Sequence, residues 1–276
     1  MGRLPDRLVI GPMKAGTTWI HDYLAARNDV CLPAGVKETF FFDHYWYRGL
    51  SWYANRFSVS ASSDCRVCIE VGPSYFHSLD APYRIRKALG TVRLLVTLRD
   101  PVRRAWSHYL HLRRYGYTNS SLQEATEMHP EILEASRYRT CLARWYAVFP
   151  TDNISVVRQE LLASSPEAYA LAVCNALGLD RQPVPEWLQC RSNEAGLPPS
   201  VLVASLGRRG AHLLRRAGMY GVINAAKRLQ LKRFFFGAAG SARELEPSAA
   251  EREWLMAQLE GEAPPEPHGG VWESGE

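Results

Sequence analysis

Short apolar segments alternating with amphipathic helical stretches over residues 7–190 predict an α/β protein: a P-loop-like parallel sheet flanked by helices, with a helical C-terminal extension. Three observations carry this prediction. Several strand candidates are continuously apolar, as strands covered on both faces tend to be. A glycine-rich loop separates the first strand from the first helix. Beyond Cys190 the strand signal stops and only helical periodicity continues.

The first strand is Arg7-Leu8-Val9-Ile10-Gly11, and Trp19, Ile20, Tyr23 and Leu24 fall at helical spacing within 17–27. Further strands are expected at Val67–Val71, 92–98 and 154–157, with a weaker one at 29–32. Helix ends are legible in Asp100 ahead of Pro101, in Ser165 ahead of Pro166, and in Gly178 as a stop. The extension should hold helices at about 201–216, 222–231 and 248–260, the last opened by the capping box Ser248-x-x-Glu251. One domain is therefore expected over 1–260, with its α/β core at 7–190 and the extension at 191–260. The Pro-, Gly- and Glu-rich tail 261–276 is expected to be disordered.

With 276 residues, 46% apolar, 22% charged and 11% aromatic, the composition is that of an ordinary globular protein and excludes fibrous or wholly disordered chains. No apolar run approaches the roughly 18 residues of a membrane span. The N-terminus lacks the apolar stretch of a secretory signal, so a cytoplasmic location is expected. Six cysteines, at 31, 65, 68, 141, 174 and 190, are too sparse and irregular for a disulfide framework. Cys65-x-x-Cys68 is the only close pair and reads as structural, with Cys68 inside a strand. The net charge is +5, and the excess is local: nine Lys or Arg against one acid between Arg191 and Gly240. That stretch suits either an anionic partner or a solvated helix face.

Gly11-Pro12-Met13-Lys14-Ala15-Gly16-Thr17-Thr18 follows a strand and opens a helix, the setting in which helix-start N–H groups and the helix dipole receive a phosphate. The two glycines have Walker-A separation, yet Thr17 stands in the lysine position and the lysine is Lys14, inside the loop. A triphosphate kinase would lose its phosphate-binding lysine, and no later strand ends in a convincing acidic metal ligand. The loop therefore fits a phosphate donor used without a metal. A second anion site is expected at Arg99-Asp-Pro, with Arg104 and Ser107 three apart on one helix face. Two phosphate sites on adjoining strands point to a nucleotide phosphorylated at two positions.

These two motifs resemble the 5′- and 3′-phosphate-binding motifs of sulfotransferases that use 3′-phosphoadenosine 5′-phosphosulfate (PAPS). Lys37-Glu38-Thr39-Phe40-Phe41-Phe42-Asp43, Gly49-Leu50-Ser51-Trp52-Tyr53 and Glu70-x-x-Pro73-Ser74-Tyr75-Phe76 resemble segments of heparan sulfate 3-O-sulfotransferases and of the N-deacetylase/N-sulfotransferase catalytic domain. The C-terminal helices look more like those of bacterial members. The resemblance implies Glu38 as the general base and Lys14 at the leaving phosphate. It implies Ala15, Gly16, Thr17, Thr18 and Trp19 around the 5′-phosphate, and Arg99, Ser107 and, more weakly, Arg104 around the 3′-phosphate. It implies PAPS as donor, no metal, no nucleic-acid partner, and a hydroxyl on a small molecule or glycan as acceptor.

Plainer readings stand beside these. Glu38 can pair with Lys37 or Arg48, Arg99 with Asp100, and His44, His77, His108 and His111 read as surface or core histidines. Val71 stands where the heparan-type enzymes carry Lys, which argues against heparan as acceptor. The rival functions are an ATP-dependent P-loop phosphotransferase and a non-catalytic binder of nucleic acid or acidic membrane through the basic stretch.

Overall fold

The computed structural model describes residues 2–57, 65–189 and 246–262. The chain divides into two compact units, one of Met1–Pro101, Ala135–Arg191 and Leu259–Glu276, the other of Val102–Glu134 and Ser192–Gln258. In the first, strands β1 (Arg7–Gly11), β2 (Val30–Cys31), β3 (Val67–Val71), β4 (Arg93–Leu98) and β5 (Ile154–Arg158) form one sheet in the order β2-β3-β1-β4-β5. Every pairing is parallel.

This order creates a switch point. From β1 the chain crosses to the β2 edge and returns through β3, whereas from β4 it proceeds to the opposite edge at β5. The connections leaving the C-terminal ends of β1 and β4 thus diverge, and the crevice between such diverging connections is where open α/β sheets bind ligands. The phosphate-type loop follows β1 and Arg99 follows β4.

Among the described residues the α-helices, in chain order, are α1 (Thr17–Ala25), α2 (Gly49–Ala54), α3 (Ala81–Leu89), α4 (Pro101–Arg114), α5 (Leu122–Met128), α6 (Glu131–Glu134), α7 (Tyr138–Tyr146), α8 (Glu160–Ser164), α9 (Pro166–Leu177), α10 (Glu186–Gln189) and α11 (Ala249–Gln258). Strand side chains alternate between two apolar layers, as a period of two requires. Leu8 and Ile10 of β1, Cys68 of β3, and Leu94, Val96 and Leu98 of β4 enter one layer. It is completed by Tyr53 of α2, Ile85 of α3, and Tyr138, Leu142 and Trp145 of α7. Val9, Ile69, Val71 and Leu95 enter the other, against Trp19, Ile20, Tyr23 and Leu24 of α1 and Tyr169, Val173 and Leu177 of α9. Trp145 is fully buried, and its indole N–H donates to the Phe76 carbonyl at 2.9 Å.

The second unit contains α4 from Val102 onward, α5, α6 and α11. Ser121 and Glu124 form a reciprocal capping box on α5. The expected box on α11 is present too, the Ser248 N–H donating to Glu251 at 2.9 Å and the Glu251 N–H to Ser248 Oγ at 3.3 Å.

The expected strands all form, the weak one reduced to the two residues of β2. Ser165 caps α9 by accepting from the Ala168 N–H at 3.1 Å, and Gly178 ends it in the left-handed conformation. The helices expected at 201–216 and 222–231, and all but the first two residues of the expected tail, lie outside the described residues. One expectation is corrected: Cys65 does not stand as a lone structural thiol near Cys68 but forms a disulfide with Cys31. The parallel pairing of β2 with β3 carries Cys31 to its vicinity, which sequence spacing does not convey.

Truncating Trp145 to Ala removes a fully buried indole and leaves the Phe76 carbonyl without its donor. The expected loss is about 3–5 kcal/mol, read from urea unfolding followed by circular dichroism.

Candidate active site

The loop after β1 is shaped by left-handed backbone. Gly11 has φ +107°, and a Cβ there would run into the Pro73 main chain. Lys14 (φ 71°) and Gly16 (φ 86°) turn the chain again before α1 begins. At Gly16 an added Cβ would stand 3.0 Å from both Gln159 Cγ and the Tyr169 hydroxyl. No side chain caps α1 and no acid lies in its first turn. Its N–H groups and dipole therefore suit an anion, and the residues present fit a phosphate. Ala15 and Thr17 are buried, whereas Lys14 and Thr18 are partly exposed.

Trp19, expected around the 5′-phosphate, has its side chain committed elsewhere. It stacks on Tyr23, meets Tyr169 edge-on and donates to the Leu188 carbonyl at 3.2 Å. Its apolar ring satisfies the core, so only its main chain is left to face the loop.

Two contacts bring separate sequence motifs to the loop. The Arg99 guanidinium donates to the Lys14 carbonyl at 3.4 Å. Lys37 Nζ donates to Thr18 Oγ1 at 3.1 Å and to Glu38 Oε1 at 3.0 Å. The second is the ion pair anticipated for Glu38, but it is more than a neutral surface pair, because the same ammonium also holds the hydroxyl at the start of α1. Lys37 is the residue that sequence reasoning left without a role. Its adjacency to Glu38 was visible, whereas its reach to a residue 19 positions earlier was not.

A second cluster joins members of all three resembling segments, which their spacing did not show to meet. Glu70 is fully buried in β3 and accepts from four donors. Its Oε1 takes the Thr39 N–H at 3.1 Å, the Tyr75 hydroxyl at 3.0 Å and the Thr39 hydroxyl, and its Oε2 takes the Tyr53 hydroxyl at 2.5 Å. Burial pushes the Glu70 carboxyl above its ordinary range, and these hydrogen bonds offset that push only in part. Burial and the neighbouring Glu70 carboxylate hold Tyr53 and Tyr75 far above the usual phenol range. Besides those segments, the signal in the sequence was a lone acid in the apolar strand Val-Cys-Ile-Glu-Val.

Arg104 and Ser107 belong to the second unit. Arg104 is fully buried and donates to the Ile132 carbonyl, to the Glu131 carbonyl at 3.5 Å, and lies 3.4 Å from His108 Nδ1. Arg104, the weaker candidate for the 3′-phosphate, thus ties α4 to α6 through these contacts. Val71, at the position of the missing lysine, is buried in the second apolar layer.

A parallel sheet with an uncapped helix start after its central strand, joined to a lysine–glutamate pair and an arginine at its switch point, defines an α/β protein of the phosphate-loop class. The description of the Sulfotransferase family matches residues 51–183, a span that covers β3 to β5 and lies beyond the loop itself. The human bifunctional heparan sulfate N-deacetylase/N-sulfotransferase 2 is 29% identical over 196 residues, covering 64% of this chain and 22% of that protein. The mouse heparan sulfate glucosamine 3-O-sulfotransferase 3A1 is 30% identical over 188 residues, covering 65% of this chain and 47% of that protein. The crystal structure of a sulfotransferase from Alicyclobacillus acidocaldarius superposes with a TM-score of 0.59 at 23% identity, covering 77% of this chain and 95% of that one, and shows the same fold. The chain is thus similar to sulfotransferases over residues 51–183, and it spans 22% and 47% of the length of these two curated relatives.

Because the native Glu70 carboxyl titrates above its unfolded value, its contribution to stability is fully present below the unfolded pKa and is lost as pH rises through the native one. Glu70→Gln is expected to flatten that fall in urea-unfolding free energy. Glu70→Leu strands four donors without an acceptor and is expected to cost about 3 kcal/mol or more at neutral pH. Gly16→Ala, strained in backbone and crowded by Tyr169, is expected to weaken bisphosphate-nucleotide binding at least about tenfold by calorimetry, a loss of about 1.4 kcal/mol.

Proposed function

We propose that this chain transfers a sulfuryl group from PAPS to a hydroxyl of a small-molecule or carbohydrate acceptor. The observation that carries the reading is the single ammonium of Lys37 joining Thr18, at the start of α1, to the Glu38 carboxylate, at 3.1 and 3.0 Å. A phosphate-receiving helix start and a candidate base thereby share one site, as transfer from a phosphosulfate to a hydroxyl requires.

In this reading the N–H groups about Ala15–Thr18 and the Thr17 and Thr18 hydroxyls hold the 5′-phosphate. Lys14, inside the loop, neutralises charge developing on the bridging oxygen and departing phosphate. Glu38 takes the acceptor proton as the hydroxyl attacks. Lys37 orients that carboxylate and adds positive charge where the sulfuryl oxygens gather. Arg99 and Ser107 are assigned the 3′-phosphate. Arg104, which donates to main-chain carbonyls of α6, is assigned a supporting role for its helix. No metal is assigned a part, because the cations of Lys14, Lys37 and Arg99 supply the charge that magnesium supplies to triphosphate kinases.

The named relatives act on heparan sulfate glucosamine, and this chain carries buried Val71 where heparan-type enzymes have Lys. A less anionic acceptor is therefore proposed. Its binding wall is assigned to the aromatic stretch from Tyr45 to Trp52, in which Tyr47 is exposed and Arg48 lies over the rings of Tyr45, Tyr47 and Trp52 at 5.0–5.9 Å.

Calorimetric titration with 3′-phosphoadenosine 5′-phosphate in EDTA is expected to show a Kd of about micromolar order, a binding free energy of about −8 kcal/mol. Binding of ATP only with magnesium would replace this reading by a phosphotransferase. Lys14→Ala and Glu38→Gln are each expected to lower transfer of radiolabelled sulfate more than tenfold, a loss above about 1.4 kcal/mol of transition-state stabilisation, with nucleotide affinity intact in Glu38→Gln. Undiminished turnover in either variant removes that residue from the mechanism.

A further inference from the structure

Three sulfurs from distant positions converge at the β2 edge of the sheet. Cys31 ends β2, and Cys68 is its register partner on β3. Cys65 stands just ahead of β3, and the three Sγ atoms all lie within 4.8 Å of one another. Cys31 and Cys65 are disulfide-bonded with their Cα atoms 5.8 Å apart, the ordinary separation for such a bridge. Cys68 is left as a thiol against that bridge.

The three are not equally accessible. Cys31 and Cys68 are buried, whereas Cys65 is partly exposed. The Arg3 guanidinium approaches Cys65 Sγ at 3.8 Å and donates to the Cys65 carbonyl at 3.2 Å. Arg3 holds Cys65 in place at the surface, and because Cys31 is buried, Cys65 is the sulfur of the bridge that an external thiolate can reach. The bridge spans 34 positions, and the covalent ring it closes contains Lys37, Glu38, Thr39 and Tyr53.

We propose that Cys31, Cys65 and Cys68 form a thiol–disulfide exchange site, open to a dithiol reductant, whose reaction opens and closes the covalent ring that carries the Lys37–Glu38 pair. The reductant's thiolate attacks Cys65 Sγ. The Cys31–Cys65 bond breaks, and Cys31 leaves as a thiolate that takes a proton from water. The reductant's second thiol then attacks the mixed disulfide, frees Cys65 and is itself oxidised to a disulfide, so two electrons pass from reagent to bridge. Cys68 supplies a second route. Once deprotonated it attacks Cys65 Sγ and expels Cys31, giving a Cys65–Cys68 bridge across the Cys-x-x-Cys spacing, with the ring opened and no net change in oxidation. Burial pushes the Cys68 thiol upward, against the pull of Arg3 and with that of Asp6, so the external route is the faster one near neutrality.

The bearing on catalysis rests on the proposed sulfuryl transfer, whereas the sulfur chemistry does not. The test uses the full chain purified without reductant. Alkylation with N-ethylmaleimide and non-reducing peptide mapping should find Cys31 linked to Cys65. Dithiothreitol added to the folded protein should expose both thiols, and oxidised glutathione should restore the link. Amide exchange over residues 32–57 should rise at least about fivefold on reduction, and the same rise should appear in Cys65→Ser regardless of reductant. Cys68→Ser should keep the Cys31–Cys65 link and lose any Cys65–Cys68 peptide.

Three results would overturn the proposal: all three thiols alkylated before reduction, a bridge that dithiothreitol opens only after unfolding, or stoichiometric zinc by elemental analysis released by thiol alkylation. Absence of sulfuryl transfer in both redox forms would count against the proposed activity and leave this exchange site standing.

Discussion

Residues 32–45, which follow β2, form neither helix nor strand, and a buried carboxylate is what gives them a position. Glu70, fixed in the middle of the sheet, accepts the Thr39 main-chain N–H and three hydroxyls, from Thr39, Tyr53 and Tyr75. Leaving those donors without a partner in an apolar layer would cost several kcal/mol, so the loop has one inexpensive arrangement. That arrangement puts Thr39 beside β3 and its predecessor Glu38 within reach of Lys37, which in turn reaches α1. Aromatic packing completes the fit, with Phe41 stacked on Tyr53 at 4.4 Å and Phe42 edge-on to Tyr75 at 5.6 Å.

Two carboxyl groups close to the same segment thus sit in different settings. Glu70 is fully buried and its carboxyl is satisfied by four hydrogen bonds, while Glu38, on the adjoining segment, is paired with Lys37, which also reaches Thr18 at the start of α1. The phosphate-type loop shows a comparable contrast. Gly11 and Gly16 exist to let backbone approach Pro73 and Tyr169 closely, and Lys14 between them projects from a left-handed turn. The sheet order adds the third component by bringing the C-terminal end of β4, and with it Arg99, against the Lys14 carbonyl.

The cysteines illustrate a limit of reading by spacing. Cys65 and Cys68, three apart, read as structural residues with no disulfide expected, yet Cys65 is bonded to Cys31. In a parallel sheet, the strand paired beside β3 decides which sulfur lies nearest, and β2 is only two residues long. Arg104 shows the same for charge: its spacing from Ser107 did not reveal that its guanidinium reaches carbonyls of α6.

Periodicity, glycine placement and capping residues determined the strands β1, β3, β4 and β5, the start of α1, the caps of α9 and α11, and the phosphate-type loop. All of these depend on contacts within a few residues, which local sequence encodes. The family resemblance rested on the same local motifs. Tertiary structure alone decided the Lys37 bridge, the Glu70 cluster, the committed ring of Trp19, the structural duty of Arg104 and the convergence of three sulfurs. Each of these joins positions through the crossing order of a parallel sheet, and the spacing of residues along a chain carries no direct measure of that order.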